Sequence, residues 1–188
     1  MIILASQSPR RKEILKEILK DIPFLTIPSS FNESQIKDDD VLSLCLKEAK
    51  GKGLDVSSKH LDDIVIASDT MVMYKNKQLG KPKDYDDAFN TIKMLQGNTH
   101  QIVTAYVIIK NGQILKERVC VAHLFIEKMD DEKIKKYLAT KSPFDKAGSY
   151  GIQDSEYITS KIIDGSRYTI IGLSKDELEE DLKDLNII

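Results

Sequence analysis

An apolar run at residues 2–5 predicts a short buried strand, followed by the loop Ser6-Gln7-Ser8. Ser8 suits the N-cap of a helix and Pro9 its first position. Ile14, Leu15, Ile18 and Leu19 then recur on one helical face. Residues 24–27 form a second predicted strand that ends in the polar loop 29–33. Val41, Leu42, Leu44, Cys45 and Ala49 predict a helix that runs out at Gly51 and Gly53. Ile64-Val65-Ile66-Ala67 is continuously apolar, as in a central strand covered on both faces, and leads into Ser68-Asp69-Thr70 and then residues 71–74.

Lys75-Asn76-Lys77 predicts a hairpin turn. Asp84 can cap a helix whose stripe is Ala88, Phe89, Ile92 and Leu95 and whose stop is Gly97. Residues 99–109 and 114–126 read as two strands joined through Asn111-Gly112, a strong hairpin signal. A helix over about 131–139 precedes the irregular stretch 142–153. Segments 157–163 and 168–173 flank a turn at Asp164-Gly165, and Ser174 with Glu177 predicts a capping box for a last helix. Helices alternate with strands but hairpins interrupt them, which predicts an α/β fold with a mixed sheet and flanking helices. Neither a repeat nor a linker divides the 188 residues, so one domain over 1–188 is expected.

Composition narrows the function. With 28 Lys+Arg against 30 Asp+Glu, no overall basic field is available to hold a nucleic acid backbone. A polyanion site must therefore gather its cations locally. No window has the ~18 apolar residues of a membrane span, and no secretory apolar segment precedes Ser6. Two cysteines, Cys45 and Cys120, do not make a disulfide framework. The expected setting is the cytoplasm, without nucleic acid or membrane as partner.

Four arginines stand in the chain, and two of them, Arg10 and Arg11, share the first turn of the first helix, where the helix dipole opposes them. An anion such as phosphate would resolve the conflict; solvation or pairing with surface carboxylates would also do so. Asp69, after a buried strand, stands where open α/β sheets place ligands, and suits metal binding or proton abstraction; capping a turn is the alternative. Thr70 can turn its hydroxyl the same way. Glu33 offers a second carboxylate of the kind a hard cation prefers, or plain surface charge. Lys81, held between Gly80 and Pro82, can aim a point charge at a phosphate. Lys50 and Lys52 flank Gly51 and fit either role. In residues 145–153, two glycines permit close backbone approach, Tyr150 could stack on a base and Gln153 could read its edge. The same pattern fits a structural loop. His60, His100 and His123 adjoin neither Cys nor another His, and structural or surface roles are expected of them.

Taken together, Leu4-Ala5-Ser6-Gln7-Ser8-Pro9-Arg10-Arg11, Ala67-Ser68-Asp69-Thr70, Gly80-Lys81-Pro82, Leu95-Gln96-Gly97-Asn98-Thr99-His100 and Asp145-Lys146-Ala147-Gly148-Ser149-Tyr150-Gly151-Ile152-Gln153 resemble the Maf family of nucleotide pyrophosphatases. Gly165-Ser166 and Ile171-Gly172-Leu173 complete the resemblance, in family order, over residues 4–173. It implies an inosine triphosphatase-like fold in two lobes around a nucleotide cleft. It also implies hydrolysis between the α and β phosphates of a nucleoside triphosphate, with Mg²⁺ or Mn²⁺. On the same basis Asp69, Glu33 and Lys81 are the catalytic residues, and Asp69 with Glu33 the metal ligands. Ser6, Arg10, Arg11, Lys50, Thr70, Lys146 and Gln153 are the substrate-binding residues. The Asp-Lys-Ala-Gly-x-Tyr-x-Ile-Gln version resembles the branch acting on dTTP and UTP, with modified pyrimidine nucleotides also within reach. Asp154 departs from the Gly that usually follows the Gln, Ser174 from a common Pro, and Asn32 from a frequent acidic residue. A non-catalytic regulator of septum formation is the alternative function, and a homodimer is compatible with either.

Overall fold

The computed structural model describes all 188 residues. Seven strands form one mixed sheet in the order β2-β1-β3-β5-β6-β7, with β4 paired to β3. Six helices accompany it. The chain divides into two compact units. One contains residues 1–70, 103–120 and 168–188, the other 71–102 and 121–167.

In the first unit, β1 (Ile2–Leu4) pairs in parallel with β2 (Phe24–Thr26) and with the start of β3 (Ile64–Tyr74). All three residues of β1 are buried, and alternation sorts the strands into two faces. Ile2, Leu4, Ile66, Tyr106 and Ile108 pack against Ile14, Leu15, Ile18 and Leu19 of α1 (Pro9–Leu19) and Leu178 and Leu182 of α6 (Lys175–Asp184). Ile3, Ala5, Val65, Ala67, Val107 and Ile109 pack on the other face with Val56 of α2 (Val41–Ser57). Residues of β3 thus alternate sides. Asp69 continues the row of Val65 and Ala67, whereas Ser68 and Thr70 continue that of Ile66.

Expectation and structure part in four places. The second helix does not stop at its glycines, because both permit close packing. A Cβ on Gly51 would lie 2.4 Å from the Phe31 ring, and one on Gly53 2.7 Å from Ile109. The strand read as ending before Asp69 runs unbroken to Tyr74. Residues 167–171 form a single helical stretch, α5 (Arg167–Ile171). Ser174 caps α6 by position only; its hydroxyl meets Thr169 Oγ1 at 2.9 Å instead of a helix N–H, so no capping box forms.

The second unit holds the β3 end with β4 (Lys77–Leu79), joined by Lys75 and Asn76 in the left-handed region. It also holds α3 (Tyr85–Leu95), capped by Asp84, and α4 (Asp131–Ala139), capped by Asp130. As β3 does with β4, β6 pairs antiparallel with β7 (Ser160–Asp164). β5 (Thr99–Lys110) and β6 (Gln113–Ile126) join through Asn111 and Gly112, both at positive φ.

Candidate active site

β1 accompanies β3 only as far as Ile66, so the residues beyond lose that neighbour and open a place for polar side chains. Asp69, 7% exposed, points to the α2 side of the sheet. From α2, Cys45, Glu48 and Lys52 arrive at intervals of three and four residues, one helical face. Lys52 Nζ lies 2.5 Å from Asp69 Oδ1 and 2.6 Å from Glu33 Oε1. The Cys45 thiol approaches Asp69 Oδ2 at 3.8 Å. Glu33 starts a 3₁₀ turn (Glu33–Gln35) whose cap is Asn32. Asp55 accepts from the Ser30 N–H (2.7 Å) and the Ser29 hydroxyl (2.8 Å), and Phe31 covers Gly51. That anchored loop brings Glu33 to the cluster.

Oxygens of Glu33, Glu48 and Asp69 all lie within 4.8 Å of one another. Burial first, then the charges of Asp69 and Glu33, push Glu48 up to about 7. Burial pulls the Lys52 ammonium down, but Asp69 and Glu33 outweigh it and the net shift is upward. Burial foremost, with Asp69, also pushes the Cys45 thiol up, so it is a neutral neighbour. Three carboxylates around one ammonium make a hard, oxygen-rich site able to hold a divalent cation.

On the opposite side of β3 lies Arg11. Its Nε donates to the Gly172 carbonyl (2.8 Å), Nη1 to the Ser68 carbonyl (2.8 Å) and Nη2 to Thr70 Oγ1 (3.1 Å). Burial lowers its pKa while Asp69 opposes the shift. Arg11 therefore ties α1 to β3 and the segment before α6, using three of its donors on the protein. Arg10 is exposed and makes no ion pair. Thr70 is also engaged, with Thr104 Oγ1 at 2.9 Å. Ser6 is buried and accepts from the Ser8 N–H (3.1 Å), shaping the turn into α1. Lys50 points elsewhere, to Glu117 at 2.8 Å. Lys52 is the lysine at the carboxylates, and Glu48 is their third member. Spacing with Cys45 signals both, Lys52 only once α2 is known to continue past Gly51.

In the second unit, the Gly148 N–H donates to the Gly80 carbonyl (3.0 Å), joining the Lys81 segment to the 145–153 loop. Lys146 donates to the Ser142 carbonyl (2.7 Å), Ser142 Oγ (2.9 Å) and Asp145 (2.8 Å). The Lys146 bond, with Lys81 adding its charge, lowers Asp145. Gln153 is exposed and its amide has no protein partner. Tyr150 is not a platform for a base: it is 6% exposed, and its hydroxyl meets His100 Nε2 at 2.5 Å. Burial lowers His100 to about 4, so this pair is neutral core.

The Maf-like protein family matches residues 1–185. A dTTP/UTP pyrophosphatase of Clostridium botulinum (strain Okra / Type B1) is 41% identical over 192 residues, covering 99% of this chain and 97% of that protein. One from Pyrococcus furiosus is 41% identical over 172 residues, covering 92% and 88%. Among solved structures, the Ham1 protein of Staphylococcus aureus aligns with a TM-score of 0.50 at 16% identity over 98% of both chains, a likeness of fold alone. With the match running over nearly its whole length, the chain belongs to the Maf-like protein family.

Proposed function

We propose that the protein hydrolyses nucleoside triphosphates, dTTP and UTP foremost, to the monophosphate and pyrophosphate. The observation that carries this reading is the carboxylate cluster of buried Asp69 on β3, buried Glu48 on α2 and exposed Glu33, in a chain 41% identical to a dTTP/UTP pyrophosphatase. Asp69 orients a water and takes its proton as the water oxygen bonds to the α-phosphorus; the bond to the β-phosphate oxygen breaks, and pyrophosphate leaves. Asp69, Glu33 and Glu48 fit Mg²⁺ or Mn²⁺, whose bound charge offsets that of the phosphate oxygens. Lys52 pairs with both Asp69 and Glu33 and holds the two carboxylates together. Arg10, exposed without an ion pair, and Lys81 are the cations assigned to the phosphates. Lys146 needs to release one of its acceptors to join them.

For the base, the Gln153 amide offers one acceptor beside two donors, complementary to the N3–H and O4 of uracil and thymine. Cytosine presents an acceptor at N3 instead. Supply of triphosphates supports the cytoplasm as the place of action, and no helix is long and apolar enough to cross a membrane.

Asp69→Asn should fold normally and lose two to three orders of magnitude in pyrophosphate release, the loss typical of one essential electrostatic group. Normal turnover by that variant refutes the assignment. A wild-type protein that binds triphosphates with Mg²⁺ or Mn²⁺ but releases no pyrophosphate would favour the regulator.

A further inference from the structure

We propose that Asp154 is a positioning residue that holds the turn presenting Gln153 and thereby sets selectivity among pyrimidine triphosphates, a role that rests on the reading above. The Asp154 N–H donates to the Gly151 carbonyl at 3.0 Å, closing a four-residue turn with Ile152 and Gln153 at its tip. One hydroxyl grips both ends of that turn. Tyr137 OH accepts from the Gly151 N–H (3.0 Å) and donates to Asp154 Oδ2 (2.5 Å). Tyr137 is itself fully buried and stacks on Tyr157, 5.3 Å between ring centroids, so the grip stands on a fixed post.

The same carboxylate oxygen accepts from Ser142 Oγ at 2.9 Å, and Ser142 Oγ accepts from Lys146 Nζ at 2.9 Å. Each hydroxyl has one proton. By accepting both protons, Asp154 turns the Tyr137 lone pair toward the Gly151 amide and the Ser142 lone pair toward the Lys146 ammonium. Lys146 and Gln153 also pack on the same glycine. A Cβ on Gly151 would lie 2.6 Å from Gln153 Nε2 and 2.9 Å from Lys146 Cε. One carboxylate therefore holds both the turn that carries Gln153 and the hydroxyl that accepts from Lys146, without itself contacting substrate. With this acceptor removed, nothing fixes either hydroxyl proton and the turn keeps only its backbone closure. Gln153 then presents its amide in several directions, and an edge-reading contact averages away.

Asp154→Gly, Asp154→Asn and Tyr137→Phe, assayed by pyrophosphate release with dTTP, UTP and CTP, test this. Asp154→Gly should raise KM for UTP and dTTP roughly five- to tenfold with kcat changed less than about twofold, and narrow the UTP-to-CTP ratio of kcat/KM similarly, the scale of one or two net hydrogen bonds. Asp154→Asn keeps an acceptor oxygen and should restore most of both. Tyr137→Phe should resemble Asp154→Gly. Hydrogen exchange at the Gly151 and Asp154 amides of the free protein reads the clamp without turnover, and should quicken in Asp154→Gly. Unchanged exchange, or unchanged KM and UTP-to-CTP ratio in a folded Asp154→Gly protein, overturns the proposal. Absence of pyrophosphate release by the wild type removes the catalytic reading and the selectivity role with it, while the exchange measurement still judges the clamp.

Discussion

Two carboxylates in the first unit, Asp181 and Asp69, are both removed from water, yet one is surrounded by donors and the other shares its ammonium with further carboxylates. Asp181, fully buried, accepts from Tyr106 OH (2.6 Å) and Arg118 (2.6 Å) and pairs with Lys116 at 3.2 Å. Burial pushes its pKa up, but the bonds from Arg118, Tyr106 and Lys116 win and the net shift is downward. Asp69 has one ammonium, Lys52, and shares it with Glu33, while Glu48 adds a third negative group. A buried charge with a surplus of donors is a finished structural joint. A buried charge among like charges is unfinished, and a cation from outside completes it. Burial alone does not separate the two; the kind of neighbour, donors or further carboxylates, does.

The comparison predicts opposite consequences for the same kind of substitution. Asp181→Ala leaves Tyr106, Arg118 and Lys116 without their acceptor. It should cost roughly 3 kcal/mol of stability, the low end for breaking a buried pair, because Arg118 and Lys116 still reach water. Activity per folded molecule should stay near wild type, which denaturant titration alongside the pyrophosphate assay would check. A catalytic defect at Asp181 would break the distinction.

Glu48 sharpens it with pH. Its folded pKa of about 7 lies above the ordinary 4.5, so the folded state holds this proton more tightly than the unfolded state does. Stability therefore falls as pH rises from about 4.5 to 7, and the penalty is complete above that window. Metal-free Glu48→Gln should be more stable than wild type at about pH 8, by up to about 3 kcal/mol, and the gain should vanish near pH 4. Adding Mn²⁺ should reverse the ranking, since the wild type retains the third oxygen. Thermal melts across pH with and without Mn²⁺ read both effects.

The smallest effect belongs to Lys50. Its pairing with Glu117 is half-exposed, so Lys50→Ala should change stability by less than about 1 kcal/mol and leave turnover intact. Loss of turnover in that variant, with Lys52→Ala unaffected, would return Lys50 to the substrate-binding residues.

Much of the fold is legible in the order of residues. The helical stripe of α1, the turns at Lys75-Asn76 and Asn111-Gly112, and the caps Ser8 and Asp84 all appear where the pattern predicts them. Asp69 stands out by its placement after an apolar segment, Glu33 only through the family resemblance, and the two do come together. Lys52 is left undecided beside Lys50 because two glycines imitate a helix end, and only the Phe31 ring and the Ile109 side chain explain why glycine is needed there; Glu48 escapes notice as one more charge within a helix. Tyr150 escapes for a similar reason: an aromatic in a glycine-rich stretch looks like a ligand platform until His100 is found beside it.

By itself, the sequence determined the periodic elements, because the spacing of apolar side chains on a helix or strand is a property of neighbouring residues. It also determined family membership, carried by blocks along nearly the whole chain. Only the tertiary structure decided which arginine is tied to backbone carbonyls, which lysine meets the carboxylates, and that one tyrosine clamps the turn bearing Gln153. Those outcomes depend on partners as far as 161 positions away for Arg11, and on directions that side chains take once packed. No local pattern encodes that choice of partners.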